Sequence, residues 1–321
     1  MQQLMSKFGQ WILDNHTTAV VWIFVLRALE MFGPTFINLD VLLMFFNMGG
    51  LLAYAMLALM VLSVLSNQYW QAVLFAALPS VFAYWFIAAP AMGLLMPVIV
   101  VLSIVVLGRM LFLHQCWSCG VECMSIIIIV AILGLHTFID DVPSWWMQQL
   151  GFNFEQLVNS LNVEITAKQQ ALQFYNMVAP RFSGYIAAMW MLVIPIWLVH
   201  FGRVWRMKCQ PNSFKDYQRG IMVGRVLAAI GSLAMIAGYW SSSAILVDLQ
   251  PLWNTLFTLI GLSAVHDCLQ NQPQKPIVLA VLYVALLFQR TLPGVVLVLS
   301  IFGCADCFFG LRKKIIKHWS N

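Results

Sequence analysis

The run PIVLAVLYVALLFQRTLPGVVLVLSIFGCADCFFG, residues 276 to 310, decides the class of fold. A helix that crosses a bilayer needs about 20 mostly apolar residues, because the hydrocarbon core is about 30 Å thick and each residue rises about 1.5 Å. The run is too long for one crossing, and Gln289-Arg290-Thr291-Leu292-Pro293 interrupts it. Proline lacks a backbone donor and disfavours helix in the residue before it. The run therefore reads as two short membrane helices joined by a tight turn.

Composition extends that reading to the whole chain. Of 321 residues, 62% are hydrophobic and 9% charged, against roughly 25% charged in ordinary soluble domains. A water-facing surface needs more than the 17 Lys plus Arg and 12 Asp plus Glu present, so the missing solvent is lipid. The expected fold class is all-α: a polytopic helical membrane protein forming one integral membrane domain over residues 1–321, with about 10 transmembrane helices, between 8 and 10. Polar and Pro/Gly punctuation places the spans near 17–38, 41–65, 70–89, 91–113, 122–139, 184–202, 220–247, 252–270, 276–290 and 293–310. The alternative for the first is an amphipathic helix in the interface, since it carries Arg27 and Glu30. MQQLMSKFGQWILDNHTTAVVW has no A-x-A-like site before its apolar run, so no cleaved signal peptide is expected. Seven cysteines, mostly in or beside apolar spans, suit reduced or buried thiols better than a secreted disulfide framework.

Basic connections stay cytoplasmic. The two basic clusters are the loop RVWRMKCQPNSFKDYQR, residues 203–219, and the tail 311–321, which holds Arg312, Lys313, Lys314 and Lys317. The spans above put an even number of crossings between them, and Lys7, Arg109 and Lys275 fall on the same side. Asp40, Asp140, Asp141, Glu155, Glu164 and Asp248 fall on the other. Both termini are expected in the cytoplasm, and the chain in a bacterial inner membrane. Residues 140–183 form the one sizeable outer segment. There Phe154, Leu157, Val158, Leu161 and Ile165 recur at helical spacing, and Glu164 and Lys168 stand four apart, which predicts a helical connector on the membrane surface. No fixed-period repeat is visible. The outer segment divides the spans evenly, an arrangement known from transporters with inverted halves.

Charges inside hydrocarbon are costly and usually have partners. Arg27 and Glu30 share a helix face near the middle of the first span, just before Gly33-Pro34. They are candidates for a solute or proton path, against a structural lock between helices. Arg109, Arg225, His266, Asp267 and Asp306 fall at one depth near cytoplasmic helix ends, where an interhelical polar layer competes with arginines that merely snorkel to water. In His114-Gln115-Cys116-Trp117-Ser118-Cys119-Gly120-Val121-Glu122-Cys123, the Cys116 and Cys119 pair has the spacing of a metal or redox site. A second ligand pair and a βαβ setting are both missing, so chance cysteines are the competing explanation. Cys304 and Cys307 repeat the spacing on a membrane helix, where thiols act as small hydrophobes. Arg203, Arg206, Lys208, Arg312 and Lys313 are the candidate contacts for a cytoplasmic protein partner or for lipid. No phosphate loop, zincin helix, nucleophile elbow or paired-glycine nucleotide fingerprint is present. Enzymatic chemistry is therefore unsupported rather than excluded, no cofactor is expected, and no nucleic acid is expected because positive-inside topology already accounts for the basic loops.

The last third carries Gly303-Cys304-Ala305-Asp306-Cys307-Phe308-Phe309-Gly310-Leu311-Arg312, followed by Lys313-Lys314, and before it Gly-Leu-Ser-Ala-Val-His from Gly261 to His266. In these motifs the chain resembles the YybS-like family of multi-pass bacterial membrane proteins. Gly310 departs from the pattern, since the family commonly has an acidic residue there. The family is similar in class to the substrate-binding membrane components of energy-coupling-factor vitamin transporters, and the resemblance implies solute binding between helices and a cytoplasmic partner. The leading expectation is a small-solute transporter or transporter substrate-binding subunit. The alternative is a membrane scaffold or assembly factor acting through the basic loop and tail.

Overall fold

A computed structural model describes residues 2–36, 40–62, 69–87, 91–114, 116–148, 173, 176–209, 220–241, 243–270, 272–287 and 293–320. Among the described residues no strand occurs. The helices are α1 (Gln2–Asp14), α2 (His16–Phe36), α3 (Asp40–Val61), α4 (Tyr69–Ile87), α5 (Ala91–His114) and α6 (Trp117–Phe138). A short helix over 142–148 follows. The helical stretch α7 covers Asn176–Cys209. After it come α8 (Arg225–Trp240), α9 (Ala244–Cys268), α10 (Lys275–Leu287), α11 (Pro293–Phe309) and α12 (Leu311–Ser320).

Among the described residues three helices are long and apolar enough to cross a membrane: α6, α7 and α9. Counting two bent pairs as single spans brings the number to five, and α3, α4, α5, α8 and α10 contribute shorter apolar stretches. The chain has the helices of a membrane protein. Residues 149–172, including the Phe154 to Ile165 pattern, residues 210–219 and residues 288–292 lie outside the described residues.

The chain divides into two compact units. One holds residues 1–124 and 190–219, the other 125–189 and 220–321. In the first, α3 is the axis: every residue from Ala53 to Leu62 is buried, and Tyr54 alone among them carries a polar side-chain atom. A helix hydrophobic all round belongs in the middle of a bundle. Gly202 of α7 brings its backbone against that of α3 at Ala58 and Leu59, and Gly108 of α5 lies against Val61. Phe24 and Phe75 meet edge to face at 5.8 Å between α2 and α4.

In the second unit α9 is the axis, with Leu252, Leu256, Ile260 and Ala264 fully buried along one side. Gly261 of α9 and Gly303 of α11 face each other: a Cβ on Gly261 would strike the carbonyl oxygen of Leu299, and one on Gly303 that of Phe257. Small residues at such a crossing let helix backbones touch, which is how helices associate where lipid removes the hydrophobic driving force. The two sequence motifs of the last third thus form one helix crossing.

The structure corrects several expected boundaries. Residues 220–224, expected to open a helix over 220–247, are not helical, and Gly224 at their end is extended. The Ile221 amide donates to Ser263 Oγ at 2.7 Å and its carbonyl accepts from Arg312 Nη2 at 2.9 Å, so side chains take the bonds a helix would have made. The same expected span is broken at Ser241 and Ser243, where Ser241 Oγ accepts from the Ser243 amide at 3.0 Å. Serine hydroxyls compete with helical backbone bonding in this way. Helix α9 begins at Ala244 rather than near 252 and carries Pro251 inside it. The basic segment expected to be a loop from Arg203 onward is helical as far as Cys209, where it continues α7. Within α7, residues Ala187–Val193 widen into a π-helical turn. Pro195 follows, and its ring would otherwise collide with the carbonyl four residues back, at Met191.

The tail is a helix, α12, turned 88° from α11. Gly310 makes the corner with φ +59°, a left-handed conformation that other residues adopt at a cost. Its amide donates to the Asp306 carbonyl at 2.9 Å, closing α11. Glycine at the position where the YybS-like pattern has an acidic residue therefore has a backbone reason here.

Candidate functional site

Apolar helices make each buried polar group conspicuous. At the corner between α11 and α12, Asp306 is wholly buried. It accepts from the Arg312 amide through Oδ1 at 2.8 Å and from Arg312 Nε through Oδ2 at 2.5 Å. Arg312 Nη1 donates to Asp267 Oδ2 of α9 at 2.8 Å, while Nη2 reaches the Ile221 carbonyl. One guanidinium thus ties two carboxylates and the non-helical segment 220–224 together, using the planar fork that only arginine has. Asp306 also serves as an acceptor for the first turn of α12, whose amides lack helical partners.

Arg312, expected on a partner or lipid surface, is 5% exposed and works inside the fold. Arg225, expected in the polar layer, instead stands exposed at the start of α8. His266 joins Tyr283 of α10, Nε2 to Oη 2.8 Å. Asp267 and Asp306 are brought together as expected. Sequence spacing offers no route to Arg312 as their partner, because it lies past the helix end among the tail cations.

A second centre lies outside the sequence-based candidates. Asp248 of α9, expected outside the membrane, is 1% exposed. Its Oδ2 lies 3.0 Å from His136 Nε2 of α6, and its Oδ1 accepts from the Gly184 amide at 2.9 Å. A Cβ at Gly184 would strike the Asp248 carbonyl, so glycine permits the approach. Beside it Trp146 Nε1 donates to Ser183 Oγ at 2.8 Å, and its ring packs on Trp145 and Phe182 at 4.6 and 4.7 Å. The only signal of this centre in the sequence is an isolated His and an isolated Asp on separate apolar helices.

In the first unit, Arg27 and Glu30 form the predicted ion pair. Arg27 is wholly buried: Nε donates to the Ala76 carbonyl at 3.3 Å, Nη2 to Ser80 Oγ at 3.2 Å, and the guanidinium lies 4.5 Å from the Tyr54 ring centre. Bonds from α2 to α4 and a ring on α3 fit the structural-lock alternative, with Arg27 packed among three helices. Glu30 keeps partial exposure, its side chain 23% accessible. Arg206 is also buried, its guanidinium 5.8 Å from the Phe112 ring centre, which corrects its expected place on a partner surface. The long arginine stem covers apolar surface while the head lies on a π face. Arg203 is partly exposed, and Lys208 and Lys313 are exposed, as a contact surface requires.

Cys116 precedes the first turn of α6 and Cys119 lies within it. Burial raises the Cys116 thiol, but hydrogen bonds donated by Cys119 and Ser118 outweigh it and leave the thiol ionising below its ordinary value. Cys116 is therefore expected to alkylate fastest among the described thiols, with a rate midpoint at lower pH than a free cysteine's, about 8.5. Mass-spectrometric mapping of maleimide labelling from about pH 6 to about pH 9 brackets that value and checks this. A Cys116 profile matching that of the partly exposed Cys123 contradicts it. Among the described residues no group of three His, Cys, Asp or Glu could hold a metal ion.

Comparison with protein-family models, curated proteins and solved structures gives no match.

Proposed function

We propose that this chain is a non-enzymatic multi-pass protein of the bacterial inner membrane, with about 10 spans and both termini cytoplasmic. It binds a small solute among its helices, as a transporter or a transporter's substrate-binding subunit. The observation that carries this is the buried His136–Asp248 couple, a carboxylate and an imidazole held at 3.0 Å between apolar helices. Ionisable groups at such positions mark solute and proton paths. An even number of helices, α8 to α11, stands between residues 203–209 and the tail among the described residues, which supports a common side for both basic segments. Kinship with the YybS-like family belongs to the same proposal.

The test is ligand-dependent thermal stabilisation of the purified protein across a broad metabolite panel, followed by uptake into proteoliposomes carrying an internal pH dye. Asp248→Asn keeps an acceptor for the Gly184 amide while removing the charge. It is expected to fold and to lose at least about tenfold in solute-dependent uptake, the equivalent of about 1.4 kcal/mol. A wild-type protein stabilised by no panel member, or an Asp248→Asn protein with full uptake, ends the proposal.

The scaffold reading stands second. Exposed Lys208 and Lys313 favour it, and a copurifying protein lost on changing Arg203 and Lys208 would establish it in place of solute binding.

A further inference from the structure

Under α12 lies an apolar groove of about 530 Å³, within the range of about 300–1,000 Å³ usual for small-molecule clefts. Its walls are Val265 and Cys268 of α9, Val278 of α10 and Phe302 of α11, and α12 adds Lys314 and His318. A polar solute needs several convergent hydrogen-bonding groups, and these walls supply hydrocarbon, with the nitrogen-bearing side chains Lys314 and His318 on α12 alone. That division matches a long-chain amphiphile with an anionic head.

The setting is suited to such a molecule. The corner at Gly310 turns α12 by 88° from α11. With α11 crossing the bilayer, α12 lies along its surface, at the level of the headgroups. Arg312 clamps that orientation through Asp306 and Asp267. Leu311 and Ile315 stand on the partly buried side of α12, whereas Lys313, Lys314, Lys317 and His318 are exposed. Basic amphipathic helices in this position attract anionic lipid.

We infer that this groove seats one acyl chain of an anionic membrane phospholipid, with Lys314 and His318 on its phosphate. The site needs the chain to be a membrane protein and does not depend on the solute-binding proposal. Native mass spectrometry of the purified full chain, in micelles doped equally with phosphatidylglycerol and phosphatidylcholine, tests it. Wild-type protein is expected to retain phosphatidylglycerol several-fold over phosphatidylcholine. Lys314→Gln is expected to cut that preference about fivefold, the effect of one near-surface lysine. Lys313→Gln, on the same helix but off the groove, leaves it unchanged. Val278→Trp fills the groove and abolishes retention of both lipids; Val278→Phe, a smaller filler that serves where tryptophan prevents folding, reduces it. Equal losses from Lys313→Gln and Lys314→Gln would reduce the effect to general surface charge and overturn the site. So would the absence of any anionic preference, or displacement of the lipid by millimolar inorganic phosphate.

Discussion

Replacement of Arg312 by alanine is expected to cost about 3–5 kcal/mol, because it leaves Asp306 wholly buried without its guanidinium partner. Asp267 loses its cation as well, and the Ile221 carbonyl loses a donor, which frees the segment 220–224 from α12. Thermal unfolding in detergent should fall by roughly 6 °C or more. Lysine at the same position restores the charge but not the fork that reaches Asp306, Asp267 and Ile221 at once, so it should recover less than half of the loss. A double change of Arg312→Ala with Asp306→Asn removes the orphaned carboxyl group and should be less damaging than the sum of the two single changes. A midpoint for Arg312→Ala within about 2 °C of wild type would show that the corner is not a stabilising clamp.

The second large effect is expected at the crossing of α9 and α11. Valine at Gly303 or at Gly261 would drive a branched side chain into the carbonyl oxygen of Phe257 or Leu299. Backbone cannot move aside as a side-chain tip can, so each substitution belongs at or above the usual overpacking cost of about 1–3 kcal/mol. The helices must separate, and separation also disturbs the neighbouring Asp306–Arg312–Asp267 cluster. Gly294→Ala is the control, since nothing lies near the added methyl and helix propensity favours alanine by up to about 1 kcal/mol. The comparison is made by thermal unfolding of the variants side by side. Gly303→Val and Gly261→Val proteins as stable as the Gly294→Ala protein would mean that the two helices do not pack backbone to backbone.

The positions of the helices are legible in the sequence because the signal is local. Each stretch long and apolar enough to avoid water announces itself, and Pro and Gly punctuation places most ends within a few residues. The non-helical segment 220–224 is not legible, because backbone bonds of Ile221 go to Ser263 and Arg312, which stand 42 and 91 residues away from it. The same holds for the sites. Arg27 and Glu30 can be found from the sequence because they lie on one helix, three residues apart. His136 and Asp248 cannot, because their pairing spans 112 residues.

The sequence by itself determined that this protein is helical and made for lipid, since hydropathy sums over neighbours along the chain and needs no partner to be read. Tertiary structure decided how charges on different helices meet. It turned Arg312 from a tail cation into the tie between two aspartates, and it turned Gly261 and Gly303 from scattered small residues into one crossing. Pairing energy depends on distance in space, and in a bundle of apolar helices that distance is set by packing rather than by separation along the chain.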